Sequence, residues 1–94
     1  MNKKYEKEIL PLGSVVLLKD AKRYLVVMGY LMIQEGEDKV WDYMGCAYPV
    51  GAVSSETTLM FNRNQIDEVI FEGFSDEEGE TFRKKVYDSI GDEK

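Results

Sequence analysis

The sequence predicts an α+β fold: a small antiparallel five-stranded sheet or partly open barrel, followed by one C-terminal helix packed on it. Five short segments rich in β-branched and aromatic residues are separated by turn-forming residues. Only one segment, near the C-terminus, has apolar residues at helical spacing. The 94 residues, 44% of them hydrophobic, fit a single domain with one core.

The N-terminal segment is the first element to assign. Residues 1–9 are mostly charged and are predicted to form a flexible tail, so that the single domain covers residues 10–94. Pro11 and Gly13 then mark an entry turn, because proline fixes φ and glycine permits a change of direction.

The next two segments predict a hairpin. Residues 14–19 (SVVLLK) indicate the first strand, and residues 23–34 indicate a long second strand that is apolar on both faces. Gly29, in the middle of that strand, predicts a bulge or bend. Residues 35–38 surround a glycine with acids and predict the turn into the next strand.

Residues 39–46 (KVWDYMGC) predict the third strand. Alternation places Trp41 and Tyr43 on one face and Asp42 on the other, so that the face carrying Asp42 is expected to be the wetter one. Residues 47–56, which include a Tyr-Pro pair, predict an irregular loop.

Two more strands follow, joined by a short turn. Residues 57–62 (TTLMFN) predict the fourth strand and residues 68–74 (EVIFEGF) predict the fifth. The segment between them, residues 62–67, is expected to make one helical turn or a tight bend.

The helix is predicted over about residues 75–90. Ser75 and Glu78 have the spacing of a capping box, and the acids that follow Ser75 complement the helix dipole. Gly91 is a natural end of the helix. The apolar stripe expected to lie against the sheet consists of Phe82, Val86 and Ile90.

Composition argues against catalysis and against a metal or cofactor site. The chain has no histidine and a single cysteine, Cys46, which lacks a nearby base and is expected to be an inert thiol. The acids of residues 35–38 lack the ligand spacing of a calcium loop, and the glycines match no phosphate-binding loop. We therefore expect no enzyme, no cofactor and no bound metal.

Net charge and hydropathy indicate which kinds of partner and which cellular location the sequence favours. The formal net charge of −6 disfavours nucleic acid and anionic membranes. The longest apolar run, Tyr24–Ile33, is too short to span a bilayer, and the N-terminus lacks the apolar region of a signal peptide. The sequence therefore predicts a cytoplasmic protein.

The aromatic residues favour a protein-binding role. A small sheet has limited room for so many rings, and exposed aromatic side chains are preferred anchors of protein interfaces. The alternative is that most of them fill the core. The predicted contact positions are Trp41, Tyr43, Tyr48, Pro49 and Gly51.

Three strings carry a resemblance to a known family: LPLGSVVLLK (10–19), VWDYMGC with the following Tyr-Pro-x-Gly (40–51), and IDEVIFEGF (66–74). They resemble an uncharacterised family of small proteins, a domain of unknown function, from Gram-positive bacteria. Its members are commonly encoded beside LXG-type toxins and other type VII (ESX) secretion components.

The resemblance implies a cytoplasmic accessory, adaptor or chaperone-like protein of a toxin locus. Its protein partner would be the type VII secretion toxin or the small helical partners of that toxin. An immunity or regulatory protein that binds a neighbouring toxin is the alternative. The oligomeric state stays open between a monomer and a weak homodimer, in which the helix stripe would dock onto a second copy.

Overall fold

A computed structural model describes residues 8–33, 36 and 38–90. Its regular elements are the strands β1 (Val15–Leu18), β2 (Tyr24–Ile33), β3 (Val40–Ala47), β4 (Thr58–Phe61) and β5 (Ile66–Phe71) and the helix α1 (Glu77–Ile90). The strands form one open sheet in the order β4-β3-β2-β1-β5, and every neighbouring pair is antiparallel. The predicted α+β fold is confirmed, as an open sheet rather than a barrel.

Short 3₁₀ turns flank the fourth strand. One turn, Ser55–Thr57, precedes β4, and a second, Arg63–Gln65, connects β4 to β5. The second turn confirms the helical turn predicted between these strands. The Asn62 N–H donates to Gln65 Oε1 at 2.8 Å and the Gln65 N–H donates to the Asn62 carbonyl oxygen at 3.0 Å, so the chain reverses within a few residues.

Gly29 lies at a bulge, as predicted. Val27 pairs with Gly45, but the next pair along the two strands joins Gly29 to Met44, so Met28 is the extra residue on β2. One added residue on one strand increases the local twist of the sheet. The hairpin between β2 and β3 is confirmed by the pair Ile33–Val40, although two of its predicted turn residues, Glu35 and Glu37, lie outside the described residues.

The core lies between one face of the sheet and α1. Its members come from every strand, from the helix and from the segment before β1: Ile9, Leu10, Val16, Leu18, Leu25, Val27, Tyr43, Phe61, Ile66, Val86 and Ile90. Ile9 is only 4% exposed, so the prediction that residues 1–9 form a flexible tail is wrong at Ile9. The folded part includes Ile9, because its side chain is apolar and packs in the core; residues 1–7 lie outside the described residues.

The helix begins one residue later than the capping box predicted. Asp76, not Ser75, caps it, because the Gly79 N–H donates to Asp76 Oδ1 at 2.8 Å. The Ser75 hydroxyl instead accepts a hydrogen bond from Arg83 Nη2 at 2.6 Å. The predicted end at Gly91 lies outside the described residues.

The apolar stripe of α1 is only partly buried. Val86 and Ile90 pack in the core as predicted, but Phe82 is 56% exposed. One side of the Phe82 ring contacts Tyr30, with 6.2 Å between the ring centroids. The first turns of α1 are therefore only partly covered by the sheet.

The expectation that the face carrying Asp42 is the wetter one is wrong. The Asp42 side chain is 2% exposed, so the face that carries it is not wetter there. Asp42 Oδ2 accepts hydrogen bonds from the backbone N–H and from Nε of Arg63, at 2.9 and 3.3 Å. The carboxylate is buried because a buried guanidinium from the β4–β5 turn balances its charge.

Two tyrosines bind the N-terminal segment to the sheet. The Leu10 N–H donates to the Tyr43 hydroxyl at 2.8 Å, and the Tyr30 hydroxyl donates to the Leu10 carbonyl oxygen. Burial raises the pKa of Tyr43 well above its ordinary value of 10.0, and it raises the pKa of Tyr30 in the same direction. Because burial disfavours the phenolate, ionisation of either phenol lowers the stability of the fold.

We therefore expect the free energy of unfolding to fall above about pH 10, where tyrosine in the unfolded chain begins to ionise. Below that pH both states keep the proton and the contribution of Tyr43 is complete. Denaturant titrations at about pH 8 and about pH 11 should differ by about 1 kcal/mol for this group. Tyr43→Phe should flatten that dependence, while costing about 1–3 kcal/mol at the lower pH by leaving the Leu10 N–H unpaired. An unchanged pH slope in Tyr43→Phe would contradict the assignment.

Candidate interaction surface

The sheet face opposite α1 is apolar and is not covered by any element of the described chain. Strand register defines it, since directly paired residues share a face and alternate with the buried ones. We call it the far face, and its members are Val15, Leu17, Tyr24, Val26, Met44, Cys46, Thr58 and Met60, with Glu68 and Phe71 beside them on β5. These side chains are half-buried or exposed, because they pack against one another but carry no second layer.

The centre of the far face is formed by flexible, polarizable side chains. Met44 pairs directly with Met60, and Cys46 pairs with Thr58 on the neighbouring positions. Met28, which the bulge sets apart from the ladder, is exposed. Methionine side chains are flexible and polarizable, so such a surface can adjust to different apolar partners.

One end of the far face carries a pair of tyrosines. The rings of Tyr24 and Tyr48 lie with their centroids 6.4 Å apart at a tilt of 47°, and both residues are exposed. The Tyr48 N–H donates to the Tyr24 carbonyl oxygen at 3.0 Å, which fixes the loop to the strand. An aromatic ring with a polar tip, held rigidly at the rim of an apolar surface, is a typical interface anchor.

The loop after β3 holds the other predicted positions. Pro49 follows a cis peptide bond, and Gly51 adopts φ +79°, a conformation that favours glycine. The Gly51 N–H donates to the Ala47 carbonyl oxygen at 2.7 Å, which closes a tight turn. Val50 is exposed within it. Tyr48, Pro49 and Gly51 thus form one compact projection.

Trp41 lies at the opposite end of β3, beside the β2–β3 hairpin. It pairs with Met32, and Lys39 Nζ sits 4.0 Å from the centroid of its ring. Its indole Nε1 is buried without a hydrogen-bond partner among the described residues. Trp41 and Tyr48 are separated by most of the length of β3, so they do not form one contact point.

Tyr43 is a correction to the predicted contact set. Its side chain is fully buried and its ring stacks on Phe61 at 5.3 Å between centroids, so a partner cannot reach it. Sequence reasoning missed Tyr24 and the methionines of the far face. The strand register that places them together depends on the bulge at Met28, and the sequence pattern did not determine that register.

A cleft of about 730 Å³ lies elsewhere, between α1, residues 8–11 and the segment after β5. Its acids are Glu8, Glu72, Glu77, Glu80 and Asp88. All five are exposed, as solvated surface carboxylates are. Within the described ranges, no group of three or more cysteine or acidic side chains is placed to hold a metal ion.

Comparison with known proteins identifies a family. The family model described as "Domain of unknown function (DUF4176)" matches residues 9–82, most of the chain. No curated protein and no solved structure matches. Across the described residues, no helix is long and apolar enough to cross a membrane.

Proposed function

We propose that this chain, which belongs to the DUF4176 family of domains of unknown function, is a non-enzymatic protein-binding module. The observation that supports this proposal best is the far face, a continuous apolar surface with the Tyr24–Tyr48 pair at its rim. A sheet normally buries both faces or exposes a polar one, so an apolar face without a second layer favours a partner.

The resemblance of the sequence to proteins of type VII secretion loci gives the proposal its context. We place the chain as a cytoplasmic accessory, adaptor or chaperone-like protein. Its partner is the toxin of such a locus, or one of the small helical proteins that accompany the toxin. An amphipathic helix laid across the far face would supply the missing second layer.

Capture of the partner tests the proposal. The tagged chain is purified from its native host, and the proteins that stay bound are identified by mass spectrometry. Recovery of an LXG-type toxin or of its helical partners supports the adaptor role. Recovery of neither, from an abundant and folded bait, contradicts it.

Tyr48→Ala is expected to weaken that capture by about 2 kcal/mol, the loss typical of an aromatic interface anchor. Trp41→Ala is not expected to do so, because alternation along β3 places Trp41 on the face that carries the buried Tyr43, away from the far face. The measurement is the dissociation constant of the recovered partner. Phe82→Ala is the matched control, because it also removes an exposed ring but lies on α1, away from the far face. Unchanged affinity in a folded Tyr48→Ala protein removes Tyr48 from the site.

An immunity protein that neutralises a neighbouring toxin is the second candidate. The net charge of −6 favours it where the toxin is basic, since opposite charge accelerates association. Co-expression with the toxin separates the two roles. An immunity protein restores growth, whereas an adaptor changes secretion of the toxin without restoring growth.

A further inference from the structure

Sulfur-containing side chains meet at the centre of the far face. Met44 on β3 pairs directly with Met60 on β4, and Cys46 lies two residues along β3 on the same face. Side chains directly opposite each other on antiparallel strands have Cβ atoms about 4.5–5.5 Å apart, within contact distance of two methionines. Met44 and Met60 are therefore neighbouring thioethers, and we call them the methionine pair.

The methionine pair lies outside the core. Both residues are half-buried, and neither belongs to the cluster that packs between the sheet and α1. Val86 and Ile90 of α1 pack on the opposite face of the sheet, and no element of the described chain covers this one. A small polar solute can therefore reach both methionines while the protein stays folded.

The surroundings of the methionine pair are poor in hydrogen-bond donors. Its neighbours among the far-face members are Val26, Cys46 and Thr58. Valine has no polar side-chain atom, and a thiol is a weak donor. Thr58 Oγ1 already donates to the Ser55 carbonyl oxygen at 3.1 Å. A polar atom added to either methionine would thus take its hydrogen bonds from water, and an apolar partner would have to displace that water.

We propose that the methionine pair is a site of reversible oxidation by hydroperoxides, and that this oxidation prevents apolar partners from binding the far face. The inference rests on the proposed role of the far face as a binding surface. With hydrogen peroxide, the thioether sulfur donates a lone pair to one peroxide oxygen, so that an S–O bond forms as the O–O bond breaks. The sulfur loses two electrons and becomes a sulfoxide, while the second oxygen leaves with both protons as water.

The reverse step is the reaction of methionine sulfoxide reductases. Two thiols supply two electrons and two protons and become a disulfide. The sulfoxide oxygen leaves as water, and the thioether is restored. The modification can therefore act as a switch rather than only as damage.

The position of the methionine pair separates binding from folding. A sulfoxide inside a packed core disrupts the core, because a flexible apolar side chain becomes polar. On the far face the sulfoxide oxygen stays in water until a partner covers it. A polar group buried without a hydrogen-bond partner weakens an association by about tenfold or more. Oxidation is therefore expected to lower the affinity for apolar partners, with little change in the free energy of unfolding.

The test uses hydrogen peroxide as the oxidant and the neutral dye Nile red as the probe of the far face. Peptide mapping by mass spectrometry should find the added oxygen at Met44 and Met60 in chains that keep their circular dichroism spectrum, with the exposed Met28 as the reference for an accessible methionine. The dissociation constant of the dye should then rise by about tenfold or more. Treatment with a methionine sulfoxide reductase and dithiothreitol should restore it.

Substitutions separate the methionine pair from the other sulfur atoms. Met44→Leu combined with Met60→Leu keeps the apolar volume, so this variant should bind the dye and should not respond to peroxide. Met28→Leu is the matched control, and Cys46→Ser removes the thiol. Both should lose dye affinity on oxidation, as the unmodified sequence does. If the double variant does not fold, the single variants Met44→Leu and Met60→Leu should each retain part of the dye affinity after oxidation.

Equal peroxide sensitivity in the double variant would overturn the proposal, and so would the absence of sulfoxide at Met44 and Met60 in the folded chain. Dye binding that is absent, or that oxidation leaves unchanged, overturns it as well. A Cys46→Ser chain that no longer responds to peroxide would assign the effect to the thiol instead. Partner capture by the unoxidised chain tests the binding role alone, so that role and its control by oxidation can fail separately.

Discussion

Replacing Gly73 with alanine is expected to lower the free energy of unfolding by about 3 kcal/mol. A Cβ atom at this position would lie 2.3 Å from the Leu12 carbonyl oxygen and 3.0 Å from the Ser14 backbone nitrogen. Both neighbours are backbone atoms, which cannot rotate away as a flexible side chain can. The Gly73 N–H also donates to Ser14 Oγ at 3.0 Å, so any displacement would break a bond that holds the segment after β5 to the entry turn.

Gly79→Ala is the matched control for this substitution. Its Cβ would approach Arg83 Nη1 at 2.9 Å, but that atom ends a flexible side chain and can move. Alanine also favours a helix over glycine by about 1 kcal/mol, so the unfolding free energy should stay within about 1 kcal/mol of the original. Chemical denaturation of both variants checks the expectation. Equal stabilities would show that the segment around Gly73 relaxes freely.

The close backbone contact at Gly73 could not be predicted from the sequence. The string EVIFEGF predicts a strand that continues to Phe74, whereas β5 ends at Phe71 and the chain turns over the entry segment. A glycine is compatible with a continuing strand and with a turn. Only its contact with Leu12, about sixty residues away, distinguishes the two. Element types and their order follow from local pattern, but this contact depends on tertiary packing.

In the candidate site, too, the local sequence predicts some features and tertiary packing decides the others. Composition and aromatic content predict a binding surface, and Tyr48 with its loop projects at the rim of the far face. Tyr43 has the same residue type and strand pattern, yet its hydroxyl accepts from the Leu10 N–H in the core. Alternation along one strand cannot say which face a single helix will cover. The far face follows only from the register of the five strands together with the position of α1.

The exposed carboxylates of β5 and the buried one of β3 also look alike in the sequence. Asp67 and Glu68 face solvent at an edge, whereas Asp42 is paired with Arg63 inside the protein. The difference arises from the 3₁₀ turn after β4, which brings Arg63 beside β3. No periodicity links these two residues, which are separated by one strand and one loop.

Arg63→Met is expected to destabilise the fold by about 3–5 kcal/mol, the cost typical of removing one partner from a buried ion pair. In this variant the Asp42 carboxylate stays buried. The backbone N–H of residue 63 is then the one donor that residue 63 still offers it. Asp42 Oδ1 already has no hydrogen-bond partner among the described residues, so nothing nearby compensates the charge. The guanidinium also lies 5.0 Å from the centroid of the Tyr87 ring, a contact that methionine replaces only in part.

Combining Arg63→Met with Asp42→Leu separates the charge from the packing. If the single variant is unstable because it isolates a carboxylate, the double variant should recover most of the lost stability, since an apolar pair of similar volume often replaces a buried ion pair at little cost. Lys85→Met removes an exposed positive charge from α1 and should change stability by no more than about 0.5 kcal/mol. A double variant as unstable as Arg63→Met would instead assign the loss to the Tyr87 contact and to the backbone N–H of residue 63, which loses Asp42 Oδ2 as its acceptor. In that case Asp42 and Arg63 hold the β4–β5 turn against β3 through geometry rather than through charge.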